Sequence, residues 1–402
     1  MTLRRAPLVL AAASAAVLSP DAALSFAPAS RTTTPAVFRH AAVPGVASSA
    51  FRLSAVAGTS AADAVSSAPL TGGEDKWTWR GHEIYSEVTL PVGASASSSN
   101  PLASFFGSFG APASEKKPIA LLLHGFGAST TYWRATVSAL SENGYEVHAI
   151  DLLGQGRSAK PGDVYYSTKL WAALVDDYAR EVIGDRDVVL MGNSLGSVVA
   201  LAATVGETDG SDADAEGHLS SGGRVKGVCL FNCGIGMNSK NIIDDPRFDS
   251  FQRVLLKATF AVFETLLFNR FVLGYALNNV VTPDLLRDAL TGLYKSDPSR
   301  VDDELVMSFY GPAKDDGAPE ALRQIYTNDP GPTPMSLHEK YPSVLGVSTP
   351  IHAVWGDDDA VTSLEEVVGK FYGSLAEDPE RRVSLDVVSA GHIPFDDNPE
   401  DC

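Results

Sequence analysis

The chain has 402 residues, of which 45% are hydrophobic and 20% charged, and its formal net charge is −18. This composition is typical of a globular protein with a sizeable core, and the length allows two domains or one large α/β domain with an insertion. The acidic balance excludes nucleic acid as a favoured partner, because a phosphate backbone requires a basic surface. The three cysteines (Cys229, Cys233 and Cys402) provide no disulfide framework and, without clustered histidines, predict no metal site.

Residues 1–70 differ in composition from the rest of the chain and are predicted to be a targeting segment. Arg4 and Arg5 precede an apolar run at 6–18, which has the length of a signal-peptide core and is too short to span a bilayer. Phe26 then begins a basic stretch that is rich in Ser and Thr and poor in acids. This order resembles the bipartite presequences of algae with complex plastids. We therefore expect plastid localisation through a signal peptide and a transit peptide; the alternative is a secretory signal with an unstructured tail.

From residue 77 onward, strand patterns alternate with helix patterns. A turn and then an opening antiparallel strand are predicted within 77–88, followed by an exposed loop rich in Gly, Ala, Ser and Pro at 91–117. A Gly/Ser/Asp-rich insert is predicted at 207–223. Alternation with short connections predicts a mostly parallel sheet with helices on both faces. The buried strands are expected at 119–123, 146–151, 188–191 and 225–231, and the helices at about 133–141, 170–183 and 195–206.

Residues 234–345 lack strand patterns and are predicted to form a helical cap between two parts of the sheet domain, 71–233 and 346–402. The last strands are expected at 349–355 and 383–388. Charged residues interrupt the apolar run within the cap, so a membrane span is not expected, while peripheral membrane association and the oligomeric state stay open. Apolar residues recur there at helical spacing, namely Phe251, Val254, Leu255, Ala258, Val262 and Leu266.

The sequence Gly-Asn-Ser-Leu-Gly at 192–196 lies between a predicted buried strand and a predicted helix. This is the Gly-x-Ser-x-Gly nucleophile elbow in the context that the motif requires. The sharp turn would lift the Ser194 hydroxyl above the sheet edge, where the helix N-terminus favours developing negative charge. A glycine-rich turn that holds a buried serine is the structural alternative. The flanking strand and helix favour Ser194 as a nucleophile.

A serine nucleophile requires a base, and the base requires an acid that orients it. His392 follows the last predicted strand and is the only one of the eight histidines that lies after residue 359, so it is the predicted general base. The acid should follow the preceding strand, where Asp357, Asp358 and Asp359 are consecutive. We favour Asp359, at the fourth position of a Gly-x-x-Asp turn, with Asp358 as the second choice.

Two backbone N–H groups are needed to stabilise the oxyanion of a tetrahedral intermediate. The residue after the nucleophile, Leu195, is expected to supply one of them, and Phe126 in the loop after His124 and Gly125 is expected to supply the other. His124 itself is expected to hold this loop through hydrogen bonds.

With these residues in place, the chain resembles an α/β-hydrolase over nearly all of residues 77–400. Leu-His-Gly-Phe-Gly at 123–127 and Tyr-Trp-Arg at 132–134 are similar to the oxyanion strip of that family. The resemblance implies an α/β-hydrolase fold with a mostly parallel central sheet, helices on both faces and a helical cap inserted after the sixth strand.

The cap and the first strand carry a narrower resemblance. Segments 236–240 and 301–305, and Trp-Arg-Gly-His at 79–82, resemble the plastid subgroup that contains pheophytinase and chlorophyll dephytylases. Three features depart from that pattern. Ser197 replaces a common glycine, Ala-Val at 360–361 replaces a Pro-aromatic pair, and a final helix of the family, which would pack on the sheet near His392, would lie beyond residue 402.

The resemblance implies hydrolysis of the phytyl ester of chlorophyll or pheophytin through an acyl-enzyme on Ser194, without a cofactor or metal. Two alternatives stay open. One is a plastid lipid or acyl esterase with the same fold, and the other is a hydrolase-fold binding protein that turns over slowly. Dehalogenase and epoxide-hydrolase chemistry is disfavoured because it would require Asp at position 194.

Overall fold

A computed structural model describes the chain over residues 74–92, 117–210, 218–220, 223–238, 240, 249–266 and 268–402. The predicted targeting segment at 1–70 lies outside these residues, as do most of the predicted loop at 91–117 and parts of the insert at 207–223. Within the described residues, eight strands form one sheet in the order β1-β2-β4-β3-β5-β6-β7-β8. The strands are β1 (Glu74–Trp79), β2 (His82–Thr89), β3 (Ile119–Leu123), β4 (Val147–Ile150), β5 (Val188–Asn193), β6 (Val225–Phe231), β7 (Ile351–Gly356) and β8 (Val383–Val388).

The first two strands are the antiparallel part of the sheet. β1 pairs with β2 and β2 pairs with β4 in antiparallel fashion, whereas strands β3 to β8 pair in parallel. The sequence predicted a turn followed by one strand within 77–88, and the structure adds a second strand, β1, before the turn, which makes a hairpin. Arg80 and Gly81 both adopt positive φ angles, 48° and 83°, which a tight two-residue hairpin turn uses.

Helices cover both faces of the sheet, and six of those in the described ranges lie between β6 and β7. The mostly parallel sheet and the helical cap inserted after the sixth strand, both predicted from the sequence, are confirmed. The helices are α1 (Arg134–Glu142), α2 (Thr168–Tyr178), α3 (Leu195–Thr204), α4 (Ser250–Leu266), α5 (Arg270–Asn279), α6 (Pro283–Thr291), α7 (Asp303–Tyr310), α8 (Ala318–Thr327), α9 (Pro334–Lys340), α10 (Val367–Glu377) and α11 (Pro394–Asp397).

The central parallel strands β3 and β5 are almost entirely apolar because they are buried on both faces. All residues of β3 and β5 are buried. One core cluster packs α2 and α3 against the sheet through residues such as Trp171 and Val198. The second cluster lies on the opposite face and contains Trp133, Phe395 and, from the cap, Leu305. The cap therefore shares a core with the sheet.

Helix α4 differs from the other helices in the direction of its apolar stripe. An apolar stripe at helical spacing normally faces the core of a soluble protein. On α4 the stripe faces solvent instead, with Phe251 76%, Val254 65% and Leu266 61% exposed.

Candidate active site

The nucleophile elbow joins β5 to α3 through Ser194. Ser194 has φ 53° and ψ −117°, a backbone conformation that a residue with a side chain rarely adopts. Its neighbours hold this conformation through the backbone. Ser194 N–H donates to Phe231 O at 3.0 Å, and Ser194 O accepts from Ser197 N–H and Gly234 N–H, each at 3.1 Å. Such strain persists only where the surroundings fix it, and it is concentrated at functional sites.

The two glycines of the motif are required by close backbone contacts. A Cβ on Gly192 would lie 2.4 Å from the carbonyl carbon of Gly196, and a Cβ on Gly196 would lie 2.1 Å from Leu123 O. Ser197, where the resembled subgroup has a common glycine, donates its hydroxyl to Gly192 O at 2.7 Å. The serine at this position therefore fits the turn and adds a hydrogen bond to it.

The predicted base and acid meet at the edge of the sheet where the parallel strands end. His392 Nδ1 lies 2.9 Å from Asp359 Oδ2, and both side chains are buried. The two neighbouring acids point elsewhere. Asp357 accepts from Ala390 N–H at 3.2 Å, and Asp358 is exposed and faces Lys295 at 3.7 Å. Of the three candidate acids, Asp359 is the one that contacts His392.

The Asp359 carboxylate is surrounded by hydrogen-bond donors. Asn232 Nδ2 donates to it at 2.5 Å, Thr362 Oγ1 at 2.8 Å and Val361 N–H at 2.7 Å. Burial alone would raise the pKa of Asp359, but the neighbouring His392 and these hydrogen bonds hold the pKa well below its usual range. An ionised carboxylate here fixes the tautomer of His392 with Nδ1 protonated, so that Nε2 is the nitrogen able to accept a proton.

Asn232 was not predicted from the sequence as part of the site. Asn232 follows β6 directly and has a positive φ of 44°. Its amide also accepts from Gly356 N–H at 3.2 Å, so it connects the end of β6 with the turn that carries Asp359. A polar residue at the end of an apolar strand beside the elbow strand was the one available signal.

The predicted oxyanion loop lies directly against the nucleophile. A Cβ on Gly125 would lie 3.3 Å from Ser194 Cβ. Gly125 N–H donates to the Tyr132 hydroxyl at 2.5 Å, and this hydroxyl donates to Asn193 Oδ1 at 3.2 Å. Asn193 Nδ2 in turn donates to His392 O at 3.1 Å. Tyr132 and Asn193 therefore connect the oxyanion loop, the elbow and the histidine loop.

The two amides that were predicted to stabilise an oxyanion have no hydrogen-bond acceptor within the described part of the chain. Leu195 is the first residue of α3, so its N–H has no partner inside the helix. Phe126 N–H also has no acceptor there. The N–H groups on either side of it in the chain are paired, since Gly125 N–H donates to the Tyr132 hydroxyl and Gly127 N–H donates to Gln155 Oε1. These unpaired donors beside Ser194 are suited to binding a negatively charged oxygen.

His124 holds the oxyanion loop in place. Its Nδ1 lies 2.7 Å from Gly125 O, and its Nε2 accepts from Leu152 N–H at 2.9 Å. Burial lowers the pKa of His124, so the ring is neutral and can make both hydrogen bonds. The side chain thus has the structural position that was expected from the sequence.

The histidine loop is fixed by the short helix α11, which the sequence did not predict. The Asp397 carboxylate is buried, and His392 N–H donates to Leu293 O at 2.9 Å in the cap. These contacts attach the loop around His392 to the cap segment 293–297. Asp397 accepts hydrogen bonds from the backbone N–H groups of Gly391, Lys295, Ser296 and Asp297.

The neighbouring carboxylate, Asp396, is fully buried and bound by cations. Arg134 donates to it through Nε and Nη2, each at 3.0 Å, and Arg300 Nη2 donates at 2.9 Å. The Tyr294 hydroxyl donates at 2.8 Å. Phe395 stacks on Trp133 with ring centroids 3.9 Å apart. The Trp133 and Arg134 of the oxyanion strip therefore anchor the segment that carries His392.

The fold agrees with the comparisons with known proteins. The model of the Alpha/beta hydrolase family matches residues 120–402, and the chain belongs to this family. A search of curated proteins gives no significant match. In the described part of the chain, no group of three or more His, Cys, Asp or Glu side chains could hold a metal ion.

Solved structures share the fold at low sequence identity. A bacterial membrane phospholipase A is 22% identical with a TM-score of 0.50, covering 82% of this chain and 83% of that one. Cfl2 from Burkholderia cenocepacia is 19% identical with a TM-score of 0.52, covering 81% and 91%. ALR0039 from Nostoc sp PCC 7120 is 20% identical with a TM-score of 0.51, covering 82% and 94%. At these identities the likeness shows the fold alone.

Proposed function

We propose that the protein is a serine hydrolase that cleaves a carboxylic ester through an acyl-enzyme. The observation that carries this proposal is the buried His392–Asp359 pair, 2.9 Å apart, at the same sheet edge as the strained Ser194. Two unpaired amides beside Ser194 complete the set of groups that acyl transfer requires.

In the first half of the reaction, Ser194 Oγ attacks the ester carbonyl carbon while His392 Nε2 accepts the hydroxyl proton. The N–H groups of Leu195 and Phe126 bind the oxyanion of the tetrahedral intermediate. The intermediate collapses when His392 returns the proton to the leaving alcohol, and the acyl group stays on Ser194. Asp359 stabilises the transient imidazolium, because its carboxylate is held ionised beside Nδ1.

In the second half, water replaces the alcohol. His392 accepts a proton from the water as its oxygen attacks the acyl carbon, and a second oxyanion forms against the same amides. Collapse of this intermediate returns the proton to Ser194 and releases the carboxylic acid. One water is consumed, and one alcohol and one acid are formed.

The substrate that we propose is a bulky apolar ester, specifically the phytyl ester of chlorophyll or pheophytin. The resemblance of segments 236–240 and 301–305 to the plastid subgroup supports this choice, and the composition of residues 1–70 supports import into a plastid. Aromatic side chains adjoin the oxyanion loop. Phe126 contacts Tyr326 of α8 with ring centroids 5.1 Å apart, which provides an apolar wall beside the reacting carbonyl.

The test is incubation of the full chain with chlorophyll a, pheophytin a and a galactolipid, with p-nitrophenyl butyrate as a soluble ester. We expect release of phytol from the pigments and no release by Ser194→Ala. Ser194→Ala protein that cleaved any of these esters at the wild-type rate would refute the serine mechanism.

Two other outcomes separate the alternatives. Release of fatty acid from the galactolipid without release of phytol would retain the hydrolase and overturn the pigment substrate. Thermal stabilisation by pigment without turnover of any ester would identify a binding protein instead.

A further inference from the structure

Two consecutive cap helices expose large apolar side chains, which we name the cap face. Soluble proteins rarely expose contiguous apolar patches of this kind unless the patch meets a partner or a membrane. The members on α4 recur at intervals of three, four and seven residues, so they lie along one side of that helix. The cap face consists of Phe251, Val254, Leu255, Val262 and Leu266 on α4 and of Phe271, Val272 and Tyr275 on α5, which are between 42% and 76% exposed.

Contacts on the other sides of these helices keep the cap face turned outward. On α5, Leu273 and Ala276 are buried. On α4, Glu264 is partly buried and forms an ion pair with Lys240 at 2.9 Å. The apolar stripe of α4 is therefore exposed while a polar residue of the same helix is held against the protein.

The charge of these two helices is opposite to that of the chain. The whole chain has a formal net charge of −18, yet α4 and α5 together carry three basic residues and one acid. Lys257 and Arg270 are exposed beside the apolar stripe, and the single acid, Glu264, is paired. An anionic lipid surface would attract this basic face, whereas a second copy docked through the same face would bring its own basic residues against these.

The dimensions of the helices suit an interfacial position. In the described residues, no single helix is long and apolar enough to cross a membrane; α4 and α5 meet the criterion together but are bent by 64° where they join. Helix α4 has 17 residues, which corresponds to about 25 Å and is shorter than the hydrocarbon core of a bilayer. An amphipathic helix of this kind lies in the plane of the interface with its apolar side in the acyl region.

Aromatic rings connect the junction of α4 and α5 with the oxyanion loop. Phe268, at the junction of α4 and α5, stacks on Tyr326 with ring centroids 4.4 Å apart. Tyr326 contacts Phe126 of the oxyanion loop at 5.1 Å. A row of three aromatic rings thus runs from the junction of the two exposed helices to the loop beside Ser194.

We propose that α4 and α5 dock the protein on the surface of an anionic lipid bilayer, with the cap face in the lipid and Lys257 and Arg270 at the headgroups. This interaction does not depend on the chemistry proposed for Ser194. It would bring the row of aromatic rings beside the active site close to the lipid, in which apolar esters are dissolved.

The test is flotation of the full chain with vesicles of phosphatidylcholine and phosphatidylglycerol in equal parts, compared with vesicles of phosphatidylcholine alone. Wild-type protein is expected to float with the anionic vesicles. The double variant Phe251→Ser, Leu255→Ser is expected to lose binding by roughly tenfold or more, because two apolar side chains no longer enter the lipid. Lys257→Glu is expected to weaken binding, and binding should fall as salt is added.

Two controls separate docking from folding and from catalysis. Val387→Ser removes an apolar side chain that is 50% exposed on β8, outside the cap face, and should bind vesicles as the wild type does. Ser194→Ala should also bind as the wild type does, whatever its activity. The double variant should unfold in denaturant at the wild-type midpoint, which shows that it is folded whether or not the protein cleaves esters.

Three results would overturn the proposal. Wild-type protein could fail to float with anionic vesicles, or the double variant could float as well as the wild type. The wild type could also form a dimer that the double variant does not form, without binding lipid, as measured by light scattering. The cap face would then be a self-association surface.

Discussion

Asp397→Asn tests whether the hydrogen bonds of α11 position the predicted general base. The Asp397 carboxylate faces backbone donors on both sides. Oδ2 accepts from Gly391 N–H at 2.7 Å and Lys295 N–H at 2.8 Å, and Oδ1 accepts from Ser296 N–H at 3.0 Å and Asp297 N–H at 2.8 Å. Asparagine keeps one acceptor oxygen, so in either rotamer its NH₂ group faces two donors.

The variant therefore loses two hydrogen bonds to a charged acceptor and leaves two buried N–H groups opposed to another donor. Hydrogen bonds to charged groups contribute about 1.5–3 kcal/mol each, and partial relaxation of the loop reduces the sum. We expect the free energy of unfolding to fall by about 3 kcal/mol. Gly391 precedes His392, so the base should also shift, and a displacement of about 1 Å can reduce turnover by about 100-fold.

The assays are denaturant unfolding and the kcat for p-nitrophenyl butyrate. Asp401→Asn is the matched control, because Asp401 is an exposed acid four residues further along the chain. The control should retain both wild-type stability and wild-type kcat. If Asp397→Asn were as stable and as active as the wild type, Asp397 would not position His392. A loss of stability with an unchanged kcat would limit its role to folding.

Three further predictions concern the acid, the oxyanion loop and pH. Asp359→Asn should lower kcat by about 10⁴-fold, because the tautomer of the base is no longer fixed, while Asp358→Asn should stay near the wild-type kcat. Tyr132→Phe leaves a buried N–H and a buried amide oxygen unpaired, so unfolding experiments should show a loss of about 1–3 kcal/mol, with a lower kcat. Burial alone would raise the pKa of Glu207, but hydrogen bonds from Lys340 and other donors lower it to about 2. The ionised Glu207 should therefore stabilise the folded protein by about 1–2 kcal/mol above about pH 4.5, and this contribution should disappear toward pH 2. In denaturant unfolding, Glu207→Gln should lack this pH dependence.

The sequence predicted the central sheet well because its signals are local. Parallel strands buried on both faces require uninterrupted apolar runs, and these runs mark β3 and β5 directly. Gly192 and Gly196 are required by close contacts with backbone atoms, of the turn itself for Gly192 and of the neighbouring strand β3 for Gly196. The strand before the turn, β1, was missed, because the alternating pattern on which the strand prediction depended begins only after the turn.

The direction of side chains was harder to predict. Asp357, Asp358 and Asp359 are adjacent in sequence, and only the fold of their turn decides which of them faces His392. Asn232 and Asp397 act through contacts with residues more than 90 positions away, which leave no local pattern. The apolar spacing of α4 correctly indicated a helix, but spacing alone does not show whether the apolar side chains face a core or face outward.

The most direct test of the account is covalent labelling of the protein with a fluorophosphonate, followed by mass spectrometry of its peptides. The reagent transfers one phosphonyl group to an activated serine and releases fluoride. We expect one adduct, on Ser194, that forms slowly in His392→Ala protein and not at all in Ser194→Ala protein. Active protein that hydrolysed esters while Ser194 stayed unmodified would contradict the central claim.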